Sequence, residues 1–165
     1  MKTILRFTSL LCLLSGALFL TSCRNRNYSD TVSCRTLSEA AMQVIPVQNG
    51  YAEFDTSHIR YNFENTTLHN DSCIIYSADT QDINEIGIFR VESTENIDGL
   101  VALAEDYISD MQKNQRAFIE SYAPEETKKL DSARIYVLGN YVIYTILSPS
   151  DRDAAINKIE ALLIE

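Results

Sequence analysis

Apolar residues recur along residues 97–122 at alternating intervals of four and three, and this regularity constrains the fold more than any other feature. The positions are Ile97, Val101, Ala104, Ile108, Met111, Gln115, Phe118 and Tyr122. Because this spacing marks one face of a helix, it predicts a single amphipathic helix of about 28 residues that packs on a sheet. Gln115 is the one polar position, and a buried amide is costly without partners. We expect it to bond to a backbone carbonyl or a tyrosine hydroxyl rather than to face a ligand.

Two pairs of short apolar runs flank this helix and predict two β-hairpins. Residues 73–78 and 85–91 form the first pair, and the second pair surrounds Gly139-Asn140, which is typical of a two-residue turn with positive φ at glycine. That turn fixes the register, with residue 138 facing 141. One face of the second hairpin, predicted to pack on the long helix, then carries Ala133, Ile135, Val137, Val142, Tyr144 and Ile146. The other face carries Arg134, Tyr136, Leu138, Tyr141, Ile143 and Thr145.

Three further helices complete the predicted order of elements. Apolar spacing favours a helix over residues 30–45, a short one over residues 55–61 capped by Asp55, and a last one over residues 151–163. Hairpins with helices between them predict an α+β domain. We expect an antiparallel sheet of two hairpins, about four strands, packed on the long helix and the C-terminal helix, with an N-terminal helix.

The first residues are typical of a bacterial lipoprotein signal. Lys2 and Arg6 precede a short apolar run, and Leu20-Thr21-Ser22-Cys23 matches the lipobox, in which two small residues precede a cysteine. This pattern predicts a signal peptide over residues 1–22, a diacylglyceryl group on Cys23, a tether over residues 23–29 and one domain over residues 30–165. Because two acyl chains suffice for stable anchoring, we expect the protein at the extracytoplasmic face of the cell membrane.

Charge and cysteine content restrict the remaining function classes. A formal net charge of −9 argues against nucleic acid as a partner, since phosphate binding needs clustered Lys or Arg. Cys34 and Cys73 remain besides the anchor, and they are either bridged by a disulfide, which the compartment permits, or buried as free thiols.

No constellation of residues indicates catalysis or a cofactor. His58, His69 and Cys73 have spacings that match no common zinc pattern. The chain lacks a GxSxG motif and a glycine-rich phosphate loop. We therefore expect a protein that is not an enzyme and that needs no metal.

The second face of the second hairpin is the candidate interaction surface. Its aromatic and aliphatic residues are Tyr136, Tyr141, Leu138 and Ile143, flanked by Arg134. Tyrosine suits an interface because it buries area and retains a hydroxyl group. The alternative is that the N-terminal helix, or the loop before Cys73, covers this face.

Several stretches carry a family likeness. EIGIFRV, QKNQRAFIESYAPEETKKL and GNYVIYTILS, followed by a C-terminal helix, resemble the family called domain of unknown function 4358. The resemblance implies a small extracytoplasmic lipoprotein of Gram-positive bacteria and no particular mechanism. Two functions follow as hypotheses: a membrane-tethered binding or adaptor domain that acts on an unknown protein, and a binder of small ligands or cell-wall fragments with a pocket between the long helix and the sheet, near Gln115.

Overall fold

Five antiparallel strands form one sheet, one strand more than the sequence predicts. The computed structural model describes residues 27–47, 49–63 and 67–164. The strands are β1 (Tyr51–Glu53), β2 (Asp71–Ser77), β3 (Glu85–Arg90), β4 (Arg134–Leu138) and β5 (Tyr141–Ile146), in the order β1-β2-β3-β5-β4. The extra strand, β1, extends the edge of β2. The prediction of an α+β fold with paired hairpins is confirmed.

The predicted register of the second hairpin is confirmed. Leu138 pairs with Tyr141 and Val137 pairs with Val142 across the turn. Gly139 has a φ of +57°, a conformation that side-chain-bearing residues rarely adopt. The turn therefore holds the register on which both faces of the sheet depend.

One face of the sheet packs against a long helical segment. This helical segment consists of a 3₁₀ turn (Thr94–Asn96), α3 (Ile97–Asp110), a π-helical segment (Met111–Gln115) and α4 (Arg116–Tyr122). The helical path is thus continuous over the predicted length. The buried residues of this layer are Ile59, Phe63, Ile74, Phe89, Val91, Leu100, Ala104, Tyr107, Ile119, Leu130, Ala133, Val142, Tyr144 and Ile146.

The predicted buried stripe of this helix is correct in part before the π-helical segment and wrong after it. Ala104 is buried, and Ile97, Val101, Ile108 and Met111 are partly buried against the core, although Leu100 and Tyr107 are buried more deeply. After the segment, Ile119 points into the core, whereas Phe118 and Tyr122 are 58% and 65% exposed. The prediction assumed an uninterrupted α-helix, but the wider turns of the π-helical segment rotate the later side chains around the axis.

The other face of the sheet is covered by two helices. They are α1 (Cys34–Met42), capped by the Ser33 side chain, and α6 (Pro149–Leu163), capped by the Ser148 side chain. Each cap hydroxyl accepts a backbone N–H of the first turn, which satisfies a donor that the helix itself cannot. Both helices contribute to a second core of Cys34, Leu37, Ala41, Ile45, Cys73, Ile75, Ile86, Ile88, Leu138, Tyr141, Ile143, Leu147, Ala155, Ile159 and Leu163.

Short helical elements complete the fold. Helix α2 (Thr56–Asn62) begins at Asp55, whose carboxylate accepts the His58 N–H at 2.9 Å, as the sequence predicts. A 3₁₀ turn (Pro124–Glu126) leads into α5 (Thr127–Asp131), which joins the long helical segment to β4. Proline at the first position suits this turn because its fixed φ is helical and its missing N–H is not needed there.

The start of the described chain is held against its end. The Ser29 N–H donates to the Leu163 carbonyl at 2.7 Å, and the Tyr28 hydroxyl donates to Glu160 at 2.7 Å. Tyr28 also packs on Gly139, where an added Cβ would lie 2.8 Å from the Tyr28 Cβ. The chain therefore enters the domain at the end of the sheet that carries the β4–β5 turn.

The predicted signal peptide, Cys23 and most of the predicted tether lie outside the described residues. Within the described part of the chain, none of the helices combines the length and the apolar character that crossing a bilayer requires.

Candidate functional site

The tyrosine-rich face predicted as an interaction surface is largely buried. Tyr141 and Ile143 have no exposed area, and Leu138 is 9% exposed. Tyr136 is half-buried, and only Arg134 is exposed. The reason is that α1 and α6 together cover this face, so the alternative that an N-terminal helix covers it is correct in part. The prediction of an open interaction surface here is wrong.

The space between α3 and the sheet, predicted to hold a pocket near Gln115, is filled by aromatic side chains. Phe63 lies between Phe89 and Tyr107, with ring centroids 4.7 and 5.3 Å away, and Tyr144 lies 5.3 Å from Tyr107. Gln115 is exposed and does not face the core.

The role predicted for Gln115 belongs to Gln112. Its side-chain amide donates to the backbone carbonyl of Leu130 at 3.1 Å and so ties the π-helical segment to α5. The prediction of a glutamine amide that bonds to a backbone carbonyl was correct, but the glutamine is Gln112, one helical turn before Gln115.

The two cysteines are free and buried. Burial raises the pKa of both thiols, that of Cys73 to about 11, and the nearby Asp71 carboxylate raises that of Cys34 further. The disulfide alternative is wrong in this structure. Thiols that stay protonated are weak nucleophiles, so neither residue indicates redox or nucleophilic chemistry.

The two histidines lie at the β1–α2 edge of the sheet. His58 stacks on Phe54 with ring centroids 3.6 Å apart, and His69 lines a neighbouring cavity of about 610 Å³. Burial lowers the pKa of both imidazoles. In the described part of the chain, no three His, Cys, Asp or Glu residues are grouped so that they could hold a metal ion.

Another cavity lies at the end of the sheet opposite the β4–β5 turn that contains Gly139. It has a volume of about 530 Å³ and lies between the β2–β3 loop, α5 with its preceding turn, and the start of α6. Cavities of this size hold small ligands. It is lined by Pro46, Val47, Asp79, Gln81, Asp82, Asn84, Glu126, Lys129 and Asp151, and we call it the acidic cavity.

Lys129 organises one wall of the acidic cavity. Its ammonium group lies 2.8 Å from an oxygen of Asp82 and 2.7 Å from an oxygen of Glu126. Burial opposes the charge on Lys129, but these two partners raise its pKa overall. Glu126 also accepts the N–H of Ile83 at 3.1 Å. The sequence places Glu126 and Lys129 one helical turn apart, so both side chains reach the same loop.

Asn84 lines the acidic cavity and is 3% exposed. Its backbone N–H donates to Asp82 at 2.9 Å, and its side-chain Nδ2 donates to the same carboxylate at 3.2 Å. Its Oδ1 is buried and has no hydrogen-bond partner among the described residues. An unsatisfied buried acceptor costs about 1–3 kcal/mol of stability.

Glu85 follows Asn84 in sequence and is buried on the α3 side of the sheet. The Tyr144 hydroxyl donates to its Oε1 at 2.6 Å, and Tyr107 provides a second hydrogen bond. Burial raises the pKa of Glu85 to about 7, although both hydrogen bonds oppose the shift.

The acidic cavity is not predictable from the sequence. Residues 79–84 read as a polar connection between strands, and Glu126 and Lys129 read as charges that suit the ends of a short helix. The segment around Pro124 has the most distinctive sequence in the chain. Nothing in the sequence indicates that it meets a loop more than forty residues earlier.

Comparison with known proteins gives one family and no described relative. A family model described as a domain of unknown function (DUF4358) matches residues 46–147, which include all the described cavity residues except Asp151. No curated protein and no solved structure matches the chain.

Proposed function

Because the chain belongs to the DUF4358 family, which carries no assigned activity, we propose its function from the site: it is a membrane-anchored extracytoplasmic lipoprotein whose non-enzymatic domain binds a small ligand in the acidic cavity. The ligand site carries the functional part of this proposal, and the lipobox at Cys23 carries the anchoring part.

The observation that supports the ligand site is the acidic cavity with its fixed walls. Its volume of about 530 Å³ suits a small molecule. Lys129 lies 2.8 Å from Asp82 and 2.7 Å from Glu126, and Asn84 donates its backbone N–H and a side-chain N–H to Asp82. Side chains held in this way keep the lining in one arrangement, which is what a binding site requires.

The position of the chain entry supports the anchored orientation. Tyr28 lies at the Gly139 end of the sheet and five positions after Cys23, a span of about 18 Å at most. The acidic cavity lies at the opposite end, beside Asn84 and the start of β3. A lipid on Cys23 therefore leaves the cavity facing away from the membrane and open to the extracytoplasmic side.

The test of the ligand site is a thermal-shift screen against a panel of metabolites and muropeptides. Gln81 lines the acidic cavity and Gln115 does not, although both are exposed glutamines, so Gln81→Trp and Gln115→Trp are matched variants. We expect compounds that raise the melting temperature of the wild type and of Gln115→Trp by several degrees and leave Gln81→Trp unchanged.

Two results would count against this site. A screen in which no compound stabilises the wild type removes the support for a small-ligand binder. A screen in which Gln115→Trp alone loses the stabilisation moves the site to the long helix.

A protein-binding adaptor is the second candidate, and one observation favours it. Phe118 and Tyr122 are 58% and 65% exposed on α4, with ring centroids 4.6 Å apart. Exposed aromatic pairs are enriched at interfaces. Serine at both positions would abolish the capture of a protein partner if this candidate is correct, and it would leave the small-ligand screen unchanged.

A further inference from the structure

Asn49 and Gly50 are neighbours whose functional groups can react with each other. Both residues are exposed in the loop that precedes β1. In an Asn-Gly pair, the main-chain nitrogen of glycine can attack the side-chain amide carbon of asparagine. Glycine hinders this attack less than any other residue, because it has no Cβ beside the attacking nitrogen. Asn49-Gly50 is the one such pair in the sequence.

The local structure leaves the attacking nitrogen free. The Gly50 N–H has no hydrogen-bond partner within the part of the chain that the structure describes, whereas the Gly50 carbonyl accepts the Ala78 N–H at 2.9 Å. No atom lies within 4 Å of the position that a Cβ on Gly50 would occupy. A base from the solvent can therefore reach the Gly50 N–H and remove its proton.

The side-chain amide of Asn49 ties its loop to the β2–β3 loop. Its Nδ2 donates to Oδ2 of Asp79 at 2.8 Å. The other oxygen of this carboxylate accepts the Gln81 N–H at 2.9 Å, and the Asp79 N–H donates to the Ser77 hydroxyl at 3.2 Å. A hydrogen bond between exposed groups is weak in water, so it does not keep the amide from Gly50. Asp79 is held at two further points, so a change at Asn49 acts on a carboxylate that is fixed in place.

From these observations we propose that Asn49 is a site of spontaneous deamidation that releases the start of β1. The Gly50 nitrogen loses its proton to a solvent base and bonds to Cγ of Asn49, while the Cγ–Nδ2 bond breaks and the amide nitrogen takes up a proton and leaves as ammonia. The resulting succinimide then adds one water molecule. Opening of the ring at Cγ gives aspartate at position 49, and opening at the main-chain carbonyl gives isoaspartate. No atom is oxidised or reduced in either step.

Either product places a carboxylate where the Asn49 amide donated to Asp79. The hydrogen bond is lost, and two carboxylates face each other instead. Isoaspartate also lengthens the main chain by one carbon directly before β1. Since β1 has three residues and lies at the edge of the sheet, where it pairs with β2, it has few contacts that resist this change. This inference does not depend on the ligand site.

The first test is incubation of the full-length chain in detergent micelles at pH 8, followed by peptide mapping by mass spectrometry. Asn70 is the internal comparison, because it is also exposed but precedes Asp71 rather than a glycine. We expect Asn49 to deamidate at least about tenfold faster than Asn70, and Gly50→Ala to slow the reaction at Asn49 by a similar factor. Equal rates at Asn49 and Asn70 in the wild type, or an unchanged rate in Gly50→Ala, would overturn the inference.

The second test measures the release of β1 by amide hydrogen exchange. Asn49→Asp mimics one product, and Asn157→Asp adds the same charge at an exposed asparagine on α6. The Ala78 amide reports on the contact, because it donates to the Gly50 carbonyl. We expect Asn49→Asp to exchange this amide several-fold faster than the wild type, and Asn157→Asp to match the wild type. Unchanged exchange in Asn49→Asp would show that the modification does not release β1.

Discussion

Gly87→Ala is expected to destabilise the domain by about 3 kcal/mol, because the sheet has no room for a side chain at this position. A Cβ on Gly87 would lie 2.1 Å from Cε1 of Tyr144, and 2.6 Å from its Cζ. Tyr144 cannot move aside, since its ring is fully buried and its hydroxyl is bonded to Glu85 at 2.6 Å. Urea denaturation of the variant and the wild type measures the difference.

Gly99→Ala is the matched control. Gly99 lies on α3, and a Cβ there would lie 3.3 Å from the flexible tip of Leu68. The higher helix propensity of alanine, about 1 kcal/mol relative to glycine, offsets any small adjustment of Leu68. We expect this variant to be at least as stable as the wild type. Equal stability of the two alanine variants would show that Tyr144 does not pack on Gly87 as described.

Glu85→Gln is expected to remove the loss of stability that Glu85 causes as the pH rises from about 4.5 to 7. Burial raises the pKa of the folded carboxyl from 4.5 to about 7, so folding favours the protonated form. The stability that this group contributes is fully present below pH 4.5 and is lost as the pH rises through 7, a change of about 3 kcal/mol. Glutamine keeps the acceptor for the Tyr144 hydroxyl and carries no charge at any of these pH values.

The measurement is the free energy of unfolding at pH 5 and at pH 8 for wild type, Glu85→Gln and Glu92→Gln, an exposed acid that serves as the control. We expect Glu85→Gln to exceed the wild type at pH 8 by about 3 kcal/mol and to match it within about 1 kcal/mol at pH 5. If Glu85→Gln keeps the pH slope of the wild type, the buried carboxyl is not the group that titrates.

Local patterns predicted the parts of the fold that depend on neighbours in sequence. Gly139-Asn140 fixed a hairpin register that the structure reproduces pair by pair, and Asp55 was identified as the cap of α2. The face of the second hairpin that carries Tyr144 was correctly assigned to the long helix, apart from Val137, which is 46% exposed. These features follow from turn chemistry, capping and alternation, which act over a few residues.

Features that depend on distant contacts were missed. The strand Tyr51–Glu53 is three residues long and is defined only by its pairing with β2. The π-helical segment rotates the side chains that follow it around the helix axis, and the spacing of apolar residues does not predict this segment. The sequence did not decide whether the tyrosine-rich face of the sheet is exposed or covered. It is covered because α1 and α6 pack on it, and that packing depends on contacts between segments far apart in sequence.

The acidic cavity was the hardest feature to predict for the same reason. Lys129 meets Asp82 across 47 residues, and Glu126 meets Ile83 across 43. In the sequence these are ordinary charges on a loop and a short helix. Their convergence on the β2–β3 loop depends on the tertiary structure alone.

Location, orientation and access to the acidic cavity all depend on one claim, that Cys23 carries the anchor. Membrane fractionation of Cys23→Ala, compared with Cys12→Ala as a matched cysteine control within the predicted signal peptide, tests this claim most directly. We predict that the wild type and Cys12→Ala incorporate labelled fatty acid and sediment with membranes. Cys23→Ala should incorporate none and lose the acyl-mediated association, so that its folded domain is released by washing at high salt and high pH after removal of any uncleaved precursor. Labelled fatty acid on Cys23→Ala, or tight membrane association of its cleaved form, would contradict the account.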